Sequence, residues 1–264
     1  MNGYLHGHAE AVLSGHRRRT AEDCCAYLLP RLRGDETLLD VGCGPGTISV
    51  GLARHLSRGV VVAFDPAAEA VAEARSHVAT TGVVNVRVEQ ADVHTISLDG
   101  PVDVVHAHQV LQHLSDPVGT LQAMAAHLRP GGVVAVRDAD YDAMAWWPRL
   151  PELDDWRALY RTTARALGAE PDAARVLPAW CRAAGLVDVQ PSLGTWLYAT
   201  PDDRSQWADM WARRSTESSF ATHAVRLGLA DAADLARIAA GWRTWGEHPD
   251  GWLAILHGQV LARV

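Results

Sequence analysis

The sequence contains 264 residues, enough for one sizeable α/β domain with insertions. Hydrophobic residues make up 48% and charged residues 21%, so a packed globular core is feasible and extended disorder is disfavoured. The formal charge of −7 at pH 7 disfavours a nucleic-acid partner, because binding a phosphate polymer needs a basic surface.

Nothing else in the composition indicates a secreted, membrane-bound or metal-dependent protein. The four cysteines include no CxxC pair and are expected to be reduced thiols. No run of about 18 apolar residues could span a bilayer, and the histidines occur without an HExxH or Cys/His ligand pattern. We therefore predict a cytoplasmic protein with no membrane contact and no metal site.

Residues 1–36 precede the first predicted strand and are predicted to be helical. From residue 37 onward, short β-branched runs alternate with amphipathic stretches, a rhythm typical of a parallel sheet covered by helices on both faces. The predicted strands are Thr37–Val41, Gly59–Phe64, Asn85–Gln90, Val102–Ala107 and Gly132–Arg137. The predicted helices between them are Thr47–Leu56, Ala67–Thr80 and Pro117–Leu128.

The second half of the chain differs in composition, since all ten tryptophans lie at or beyond position 146. Two further strands, Leu186–Gln190 and Trp252–Leu261, are predicted to complete the sheet as an antiparallel pair. Residues 201–247 are predicted to form a cap of two or three helices over the sheet edge. Aromatic residues line both cores and ligand pockets, so the tryptophans indicate either a packed cap or a site for a flat, apolar ligand.

The most informative stretch is the glycine turn at residues 42–46, between a predicted buried strand and a predicted helix. Glycine lets the backbone approach a ligand closely, and the following helix presents free N–H groups. A dinucleotide fingerprint, GxGxxG, would place glycine at position 47, where this sequence has Thr47. Asp40, two residues before the first glycine, suits a cationic ligand better than a pyrophosphate.

Acidic residues follow the next two predicted strands. Asp65, with Pro66 after it, ends the second strand, where a carboxylate can accept from both hydroxyls of a ribose. Asp92 and Val93 follow the third strand, where an acid can accept an adenine amino proton and valine can pack on the ring. Each acid alone could be a helix cap or turn residue. Together with the glycine turn they predict an adenosine site.

With these motifs the chain resembles class I S-adenosylmethionine-dependent methyltransferases, and among them enzymes related to ubiquinone and menaquinone biosynthesis methyltransferases. The resemblance spans residues 36–140 and rests on LLDVGCGPGT (38–47), VVAFDP (61–66), QADV (90–93), VVHAHQVLQHLSDP (104–117) and LRPGGVVAVRD (128–138). Residues 4–30 and RDADY (137–141) also resemble an actinobacterial branch of small-molecule enzymes.

This resemblance implies a fold and a division of the chain. The expected fold class is α/β, a Rossmann-like three-layer sandwich with a mostly parallel seven-stranded sheet, an N-terminal helical lid and a helical cap insertion. Residues 1–36 would be the lid and residues 37–140 the cofactor-binding core. Residues 141–264 would be the substrate-side half, with the cap over about 201–247 and the final strands.

The resemblance also implies S-adenosylmethionine as cofactor, with S-adenosylhomocysteine as its product. The three glycines would hold the methionine part, Asp65 the ribose, and residues 92–93 the adenine. His108 and Gln109 would lie near the sulfonium, while Arg19, on an N-terminal helix that closes over the cofactor, would contact its carboxylate. The full set of predicted cofactor residues is Arg19, Asp40, Gly42, Gly44, Gly46, Thr47, Asp65, Pro66, Asp92, Val93, His108 and Gln109.

Methyl transfer from a sulfonium is an in-line displacement, so positioning in a dry pocket supplies much of the acceleration. A general base helps where the acceptor is a hydroxyl or a carbon. His113, just past the fourth predicted strand, is the predicted base; the alternative is packing or capping of a short helix. Asp138 and Tyr141 follow the fifth predicted strand, where they either meet substrate or form an ion pair or helix cap. Tyr4 is the remaining catalytic candidate.

The predicted function is methyl transfer to carbon, oxygen or nitrogen of a small acceptor, and the tryptophan-rich cap favours an aromatic or indole-containing natural product. The alternative is a protein that binds S-adenosylmethionine without methyl transfer, a cyclase or a regulator, since its cofactor site would look the same. Thr47 disfavours a nicotinamide oxidoreductase, and the acidic charge disfavours a nucleic-acid or protein methyltransferase. The protein is expected to be a monomer or a homodimer.

Overall fold

A computed structural model describes residues 19–264, so the candidate Tyr4 lies outside the described residues. Its centre is a seven-stranded sheet in the order β3-β2-β1-β4-β5-β7-β6. The strands are β1 (Thr37–Val41), β2 (Val60–Asp65), β3 (Val86–Gln90), β4 (Val102–His108), β5 (Leu128–Trp147), β6 (Val187–Tyr198) and β7 (Trp252–Arg263). Strands β1 to β5 pair in parallel, and β7 runs antiparallel to both β5 and β6.

Helices accompany the sheet throughout the described chain. The α-helices are α1 (Ala21–Cys24), α2 (Thr47–His55), α3 (Ala68–Thr81), α4 (Pro117–Ala126), α5 (Pro151–Ala166), α6 (Leu177–Ala183), α7 (Pro201–Glu217), α8 (Ser219–Arg226) and α9 (Ala232–Glu247). Short 3-10 turns span Leu29–Arg31, Leu111–His113 and Ala173–Arg175. None of the described helices combines the length and the apolar character that crossing a bilayer requires.

The central strands are buried on both faces, which explains why they read as continuous apolar runs. Along β1, Leu39 and Val41 belong to one buried cluster, whereas Leu38 belongs to another on the opposite face. The same alternation holds along β2, where Phe64 and Val61 lie in different clusters. These two clusters are the interfaces of a three-layer sandwich, so the predicted Rossmann-like α/β fold is confirmed.

Two strands are much longer than predicted. β5 continues from the predicted 132–137 to Trp147, so the RDADY stretch lies inside the strand and not after it. Its partner β7 pairs with it from Val133↔Arg263 to Trp147↔Trp252, with an interruption between Asp140 and Ala145. β6 likewise runs on past Pro191, which an edge strand tolerates because its outer N–H groups need no partner.

The predicted cap consists of three helices, α7, α8 and α9, within residues 201–247. They pack on α5 through a cluster of buried aromatic rings, in which the ring centroid of Trp156 lies 4.5 Å from that of Trp211 and 4.8 Å from that of Trp242. Both pairs meet edge to face, the arrangement that ring quadrupoles favour. Most of the cap tryptophans are therefore core residues, as the first of the two alternatives predicted.

The aromatic cluster generates a prediction for stability. Trp156 is completely buried, so Trp156→Ala should lower the free energy of unfolding by about 3–5 kcal/mol through lost burial and a residual cavity. Trp252 is 40% exposed and provides a matched control, for which Trp252→Ala should cost less than about 1 kcal/mol. Urea denaturation measures both. Equal losses in the two variants would contradict the assignment of Trp156 to the centre of the cap core.

Candidate active site

The glycine turn lies at the carboxyl end of β1 and requires glycine for two physical reasons. Gly42, Gly44 and Gly46 have φ of 68°, 53° and 77°, the left-handed region that other residues rarely adopt. In addition, a Cβ on Gly42 would lie 2.7 Å from a methyl group of Val110, which follows β4. Gly46 is the N-cap residue of α2 and has no side chain to satisfy the first N–H groups of that helix. N–H groups at the start of a helix attract the negatively charged part of a ligand.

Asp65 links the end of β2 to the glycine turn. One of its carboxylate oxygens accepts from the N–H of Gly44 at 3.1 Å, and the other accepts from the N–H of Ala67 at 2.9 Å. The half-buried carboxylate thus lies directly beside the turn. The structure brings these two predicted elements of the adenosine site together, although they are 21 residues apart in sequence.

The residues after β3 lie beside this point, because β2 and β3 pair through Asp65↔Gln90. Asp92 is exposed and accepts from the N–H of His94 at 2.9 Å, while Val93 is 5% exposed. Three features of this region match an adenosyl cofactor. The carboxylate beside the glycine turn suits the ribose hydroxyls, and the uncapped start of the helix suits the charged end. The exposed acid at the neighbouring strand end suits the adenine. The donor set therefore fits S-adenosylmethionine.

Asp40, which was predicted to contact the cofactor, belongs to a buried chain of side chains behind the turn. Its carboxylate contacts Nδ1 of His106 at 2.7 Å and accepts from the hydroxyl of Ser49 at 2.5 Å. Nε2 of His106 lies 3.3 Å from Sγ of Cys25. Burial alone lowers the pKa of His106, but contacts with Cys25 and Asp40 raise it to about 10. Asp40 therefore supports the turn from inside the protein.

A cavity, which we call the aromatic pocket, lies between the residues that follow β4 and the second half of β5. The chain after β4 joins it to the glycine turn, since Val110 contacts Gly42 and Gln109 lines the pocket. Its free volume is about 30 Å³, room for about two water molecules. The lining residues are Arg19, Gln109, Gln112, His113, Ala139, Tyr141, Met144, Trp196, Trp207, Met210, Trp211, Arg214 and Ile255.

Gln109 is held in an unusual conformation at the boundary between the two sites. Its φ of 53° is positive, and its side-chain oxygen accepts from Nη2 of Arg19 at 2.6 Å. Its side-chain nitrogen lies 2.8 Å from Nε2 of His257. The guanidinium of Arg19 also lies over the ring of Trp196, 5.3 Å from the centroid. Arg19 and Gln109, both of which were predicted to contact the cofactor, therefore lie together.

His108, which was predicted to lie beside the sulfonium, does not line the aromatic pocket. Its ring is buried and stacks on that of His257 with centroids 6.3 Å apart, and it is tilted against the ring of Trp196, whose centroid lies 5.7 Å away. Burial and the nearby Arg137 hold the pKa of His108 well below its usual range. Alternate residues of a strand face opposite sides of a sheet, and here the side chain of His108 faces the protein interior.

His113 lines the aromatic pocket, but its protonation state does not suit a general base. Burial and the positive charges of Arg19 and Arg214 lower its pKa to about 3. A general base is most effective when its pKa lies near the working pH. At neutral pH the ring of His113 is uncharged, and its surroundings disfavour the proton uptake that the predicted role as general base requires.

The two candidates on β5 have different positions. Asp138 is completely buried outside the pocket lining, where one oxygen accepts from the N–H of Gln112 at 3.2 Å and burial raises its pKa to about 8. Its carboxylate therefore supports the 3-10 turn of residues 111–113. Tyr141 does line the pocket, with its ring stacked 4.2 Å from that of Tyr160. Burial raises the pKa of Tyr141, which keeps its hydroxyl protonated.

Several lining residues, among them Arg214 and Gln112, were not identified from the sequence, whereas Trp207 and Trp211 are cap tryptophans for which a ligand site was one of the two predicted alternatives. Trp207, Trp211 and Arg214 lie on one face of α7, and their spacing of four and three residues was the available signal. Gln112 gave no signal of its own beyond lying next to His113. Among residues 19–264, no three His, Cys, Asp or Glu side chains lie close enough together to hold a metal ion.

Comparisons with known proteins agree with this geometry. Residues 32–196 match the methyltransferase domain family. An uncharacterized methyltransferase of Schizosaccharomyces pombe is 29% identical over 98% of this chain and 95% of its own length. A relative named probable methyltransferase ltbC, from Aspergillus luteorubrus, is 27% identical over 99% of this chain and 97% of its own. Among solved structures, the [4+2]-cyclase SpnF is similar with a TM-score of 0.53 and 22% identity, over 93% of this chain and 83% of that one.

The fold and the adenosyl site define a class I S-adenosylmethionine-dependent enzyme. The chain belongs to the methyltransferase domain family, and it is an S-adenosylmethionine-dependent methyltransferase.

The position of Asp65 generates a prediction for cofactor binding. Asp65→Ala should weaken binding of S-adenosylhomocysteine by about 1–3 kcal/mol, since charge-assisted hydrogen bonds to the cofactor and to Gly44 are lost. Asp99, whose side chain is 93% exposed, offers a control, and Asp99→Ala should leave the affinity unchanged. Isothermal titration measures both. Full affinity in Asp65→Ala would remove this carboxylate from the cofactor site.

The lowered pKa of His113 generates a prediction for pH dependence. In the unfolded chain this ring takes up a proton near pH 6.5, whereas in the folded protein it does so only near 3. Between these values the unfolded state binds more protons, so the side chain lowers stability as the pH falls and has no such effect above about 6.5.

We therefore expect the loss in unfolding free energy from pH 7 to pH 5 to be smaller in His113→Asn than in the parent protein. Urea denaturation at the two pH values gives this difference. His94→Asn, at an exposed position, should leave the loss unchanged. A loss of the same size in His113→Asn and the parent would show that His113 titrates normally.

Proposed function

We propose that the protein methylates a small aromatic acceptor bound in the aromatic pocket, next to the adenosyl site. The observation that carries this proposal is the lining of the pocket. Trp196, Trp207 and Trp211 surround it together with Tyr141, and residues 109–113 connect it to the glycine turn. Flat rings gain both apolar burial and edge-to-face contacts in such surroundings.

The cofactor residues would act as follows. The turn of residues 42–46 and the start of α2 would hold the charged end of the cofactor, Asp65 its ribose, and residues 92–93 its adenine. Arg19 would neutralise the cofactor carboxylate from beside Gln109. When bound, S-adenosylmethionine supplies a methyl group on a positively charged sulfur, which is a good leaving group. The protein has to orient the acceptor and exclude water.

The wall formed by α7 would have to move for an acceptor to bind. The free volume of about 30 Å³ is far too small for an aromatic ring system, and four lining residues, Trp207, Met210, Trp211 and Arg214, belong to α7. Trp207 is only half-buried and stacks on Tyr198 with centroids 4.1 Å apart. Displacing this half-buried pair would widen the pocket without disrupting the cap core around Trp156.

The finer assignment also belongs to this proposal. An indole-containing or similar natural product suits the tryptophan-rich lining, and oxygen, nitrogen and carbon acceptors all fit the class of reaction. The formal charge of −7 favours a small acceptor over nucleic acid. We further propose that the protein acts in the cytoplasm as a monomer or homodimer, with residues 1–36 as the lid. Methyl transfer is preferred over the cyclase alternative, because similarity to the [4+2]-cyclase concerns the fold alone.

The proposal is tested by a product screen combined with a pocket variant. Incubation with S-adenosylmethionine and a panel of aromatic acceptors should release S-adenosylhomocysteine together with a methylated product. Trp207→Ala should raise the KM for that acceptor about tenfold or more, through lost stacking and apolar burial, while the affinity for S-adenosylhomocysteine stays unchanged.

Trp180 lies on α6 outside the pocket lining and is the matched control, so Trp180→Ala should leave this KM unchanged. Binding of the adenosyl ligand without methylation of any acceptor would favour the cyclase or regulator alternative. An unchanged KM in Trp207→Ala would place the acceptor elsewhere.

A further inference from the structure

The outer edge of β6 has no partner strand among the described residues. β6 is the last strand of the sheet, so only its inner edge is paired, with β7. Leu193 and Leu197 are 68% and 56% exposed, and Thr195 between them is exposed as well. An open edge presents a row of unpaired N–H and C=O groups, and beside exposed apolar side chains it is a template on which another strand can pair.

Proteins usually protect such an edge, and in the described sheet the second half of β6 is the exception. The opposite edge strand, β3, has only five residues and carries Arg87 and Glu89. The first half of β6 contains Pro191 and a shift of register just before it. Residues 192–198 contain no charged residue, no proline and no such shift. This segment is therefore the described stretch of edge that can accept a further strand.

Pro191 also indicates which backbone groups face outward. Proline has no N–H to donate to β7, so its nitrogen is expected to face the open edge. Backbone groups alternate in direction along an antiparallel strand, so the N–H and C=O groups of Leu193, Thr195 and Leu197 face the same way. The exposed residues of this segment are thus also those whose backbone groups face the open edge.

Residues 193–197 are complementary to a second copy of themselves. When two copies run antiparallel about a two-fold axis at Thr195, Leu193 of each copy lies opposite Leu197 of the other, and Thr195 lies opposite Thr195. Such cross-strand pairs stabilise neighbouring strands, since the Cβ atoms of opposite residues are about 5 Å apart. On the other face Gly194 lies opposite Trp196, so two bulky side chains do not meet there.

The lack of charge at this edge matters because the chain as a whole is acidic. Two copies with a formal charge of −7 each repel one another, yet none of residues 192–198 is charged. The centres of protein interfaces are typically depleted of charged residues. A contact between copies can therefore form here without placing like charges opposite each other.

We propose that two copies of the chain associate through the outer edges of β6, antiparallel about a two-fold axis at Thr195, and join their sheets into one continuous sheet. Such a contact is closed, since it uses the free edge of both copies. About six backbone hydrogen bonds would form, two for each of three opposite pairs of residues. Leu193 and Leu197, now exposed to solvent, would cover one another.

Sedimentation velocity over a range of protein concentrations tests the association. The parent protein should form a dimer with a Kd of about 10 µM or lower. Thr195→Lys should raise this Kd about tenfold or more, because two like charges would lie directly opposite at the axis. Thr195 is exposed, so the variant is expected to fold. A parent protein that is still monomeric at about 100 µM would overturn the inference and leave the edge for an extended segment of another protein.

Thr80→Lys on α3 is the matched control, because Thr80 is also exposed and the substitution changes the net charge by the same amount. Its dimer should have the Kd of the parent. Both substitutions make the chain less acidic and so reduce the general repulsion between copies, whereas only Thr195→Lys is expected to weaken the dimer. Equal Kd values in all three proteins, or the same loss in both variants, would contradict pairing through β6.

Cross-linking of introduced cysteines tests the register. The four natural cysteines are buried, so a thiol cross-linker that spans about 5 Å should act on an introduced one. Thr195→Cys should link to its own copy at the axis. Two copies of Leu193→Cys would lie four residues apart along the paired strands, about 14 Å, and should link only when mixed with Leu197→Cys. Linkage of Leu193→Cys to itself, or no linkage of Thr195→Cys, would overturn the proposed pairing.

Dimer formation and the proposed function are tested separately. Thr195 does not line the aromatic pocket, so the affinity for S-adenosylhomocysteine should be the same in Thr195→Lys and in the parent protein. If neither protein binds S-adenosylhomocysteine, the proposed function fails while the dimer stands or falls by sedimentation alone. If both bind it and the parent is monomeric, only the dimer is overturned.

Discussion

Parallel pairing of β1 with β2 on one side and β4 on the other is the constraint on which the rest of the structure depends. It places the carboxyl ends of three strands at one edge of the sheet, so the loops after them must lie together. The consequences are visible in two contacts, Asp65 with the N–H of Gly44 and Val110 against Gly42. A single shift of register would separate the turn from its acid. The adenosyl site is thus a direct product of strand alignment.

The electrostatics of the site follow from what is buried behind it. Asp40 and His106 form a charged pair that burial strengthens, and it connects β1 to Cys25 after α1. On the pocket side, positive charge from Arg19 and Arg214 acts on rings that burial already keeps neutral. The same low-dielectric surroundings therefore stabilise charge in one place and suppress it in another. Which occurs depends on whether a partner of opposite charge lies within hydrogen-bond distance.

The cap combines a rigid core with a wall that is less firmly held. Trp156 and Trp242 pack completely buried between α5 and α9, whereas Trp207 lies at the half-buried margin on α7. Because local opening costs least where buried apolar contacts are few, movement of the pocket wall is expected at this margin and not in the core. The helix α7 can then contribute to stability through Trp211, which packs on Trp156, and to acceptor binding through Trp207.

The sequence by itself determined the fold class, the glycine turn, the first four strands and the acid at the end of β2, because these depend on local conformation and on strand periodicity. It did not determine the length of β5, whose partner β7 begins more than 100 residues later. Nor could it determine the states of Asp138 and His113, which follow from burial and from charges on distant segments. Only the tertiary structure decided these, since a side chain's protonation and hydrogen bonds are set by neighbours in space and not by neighbours along the chain.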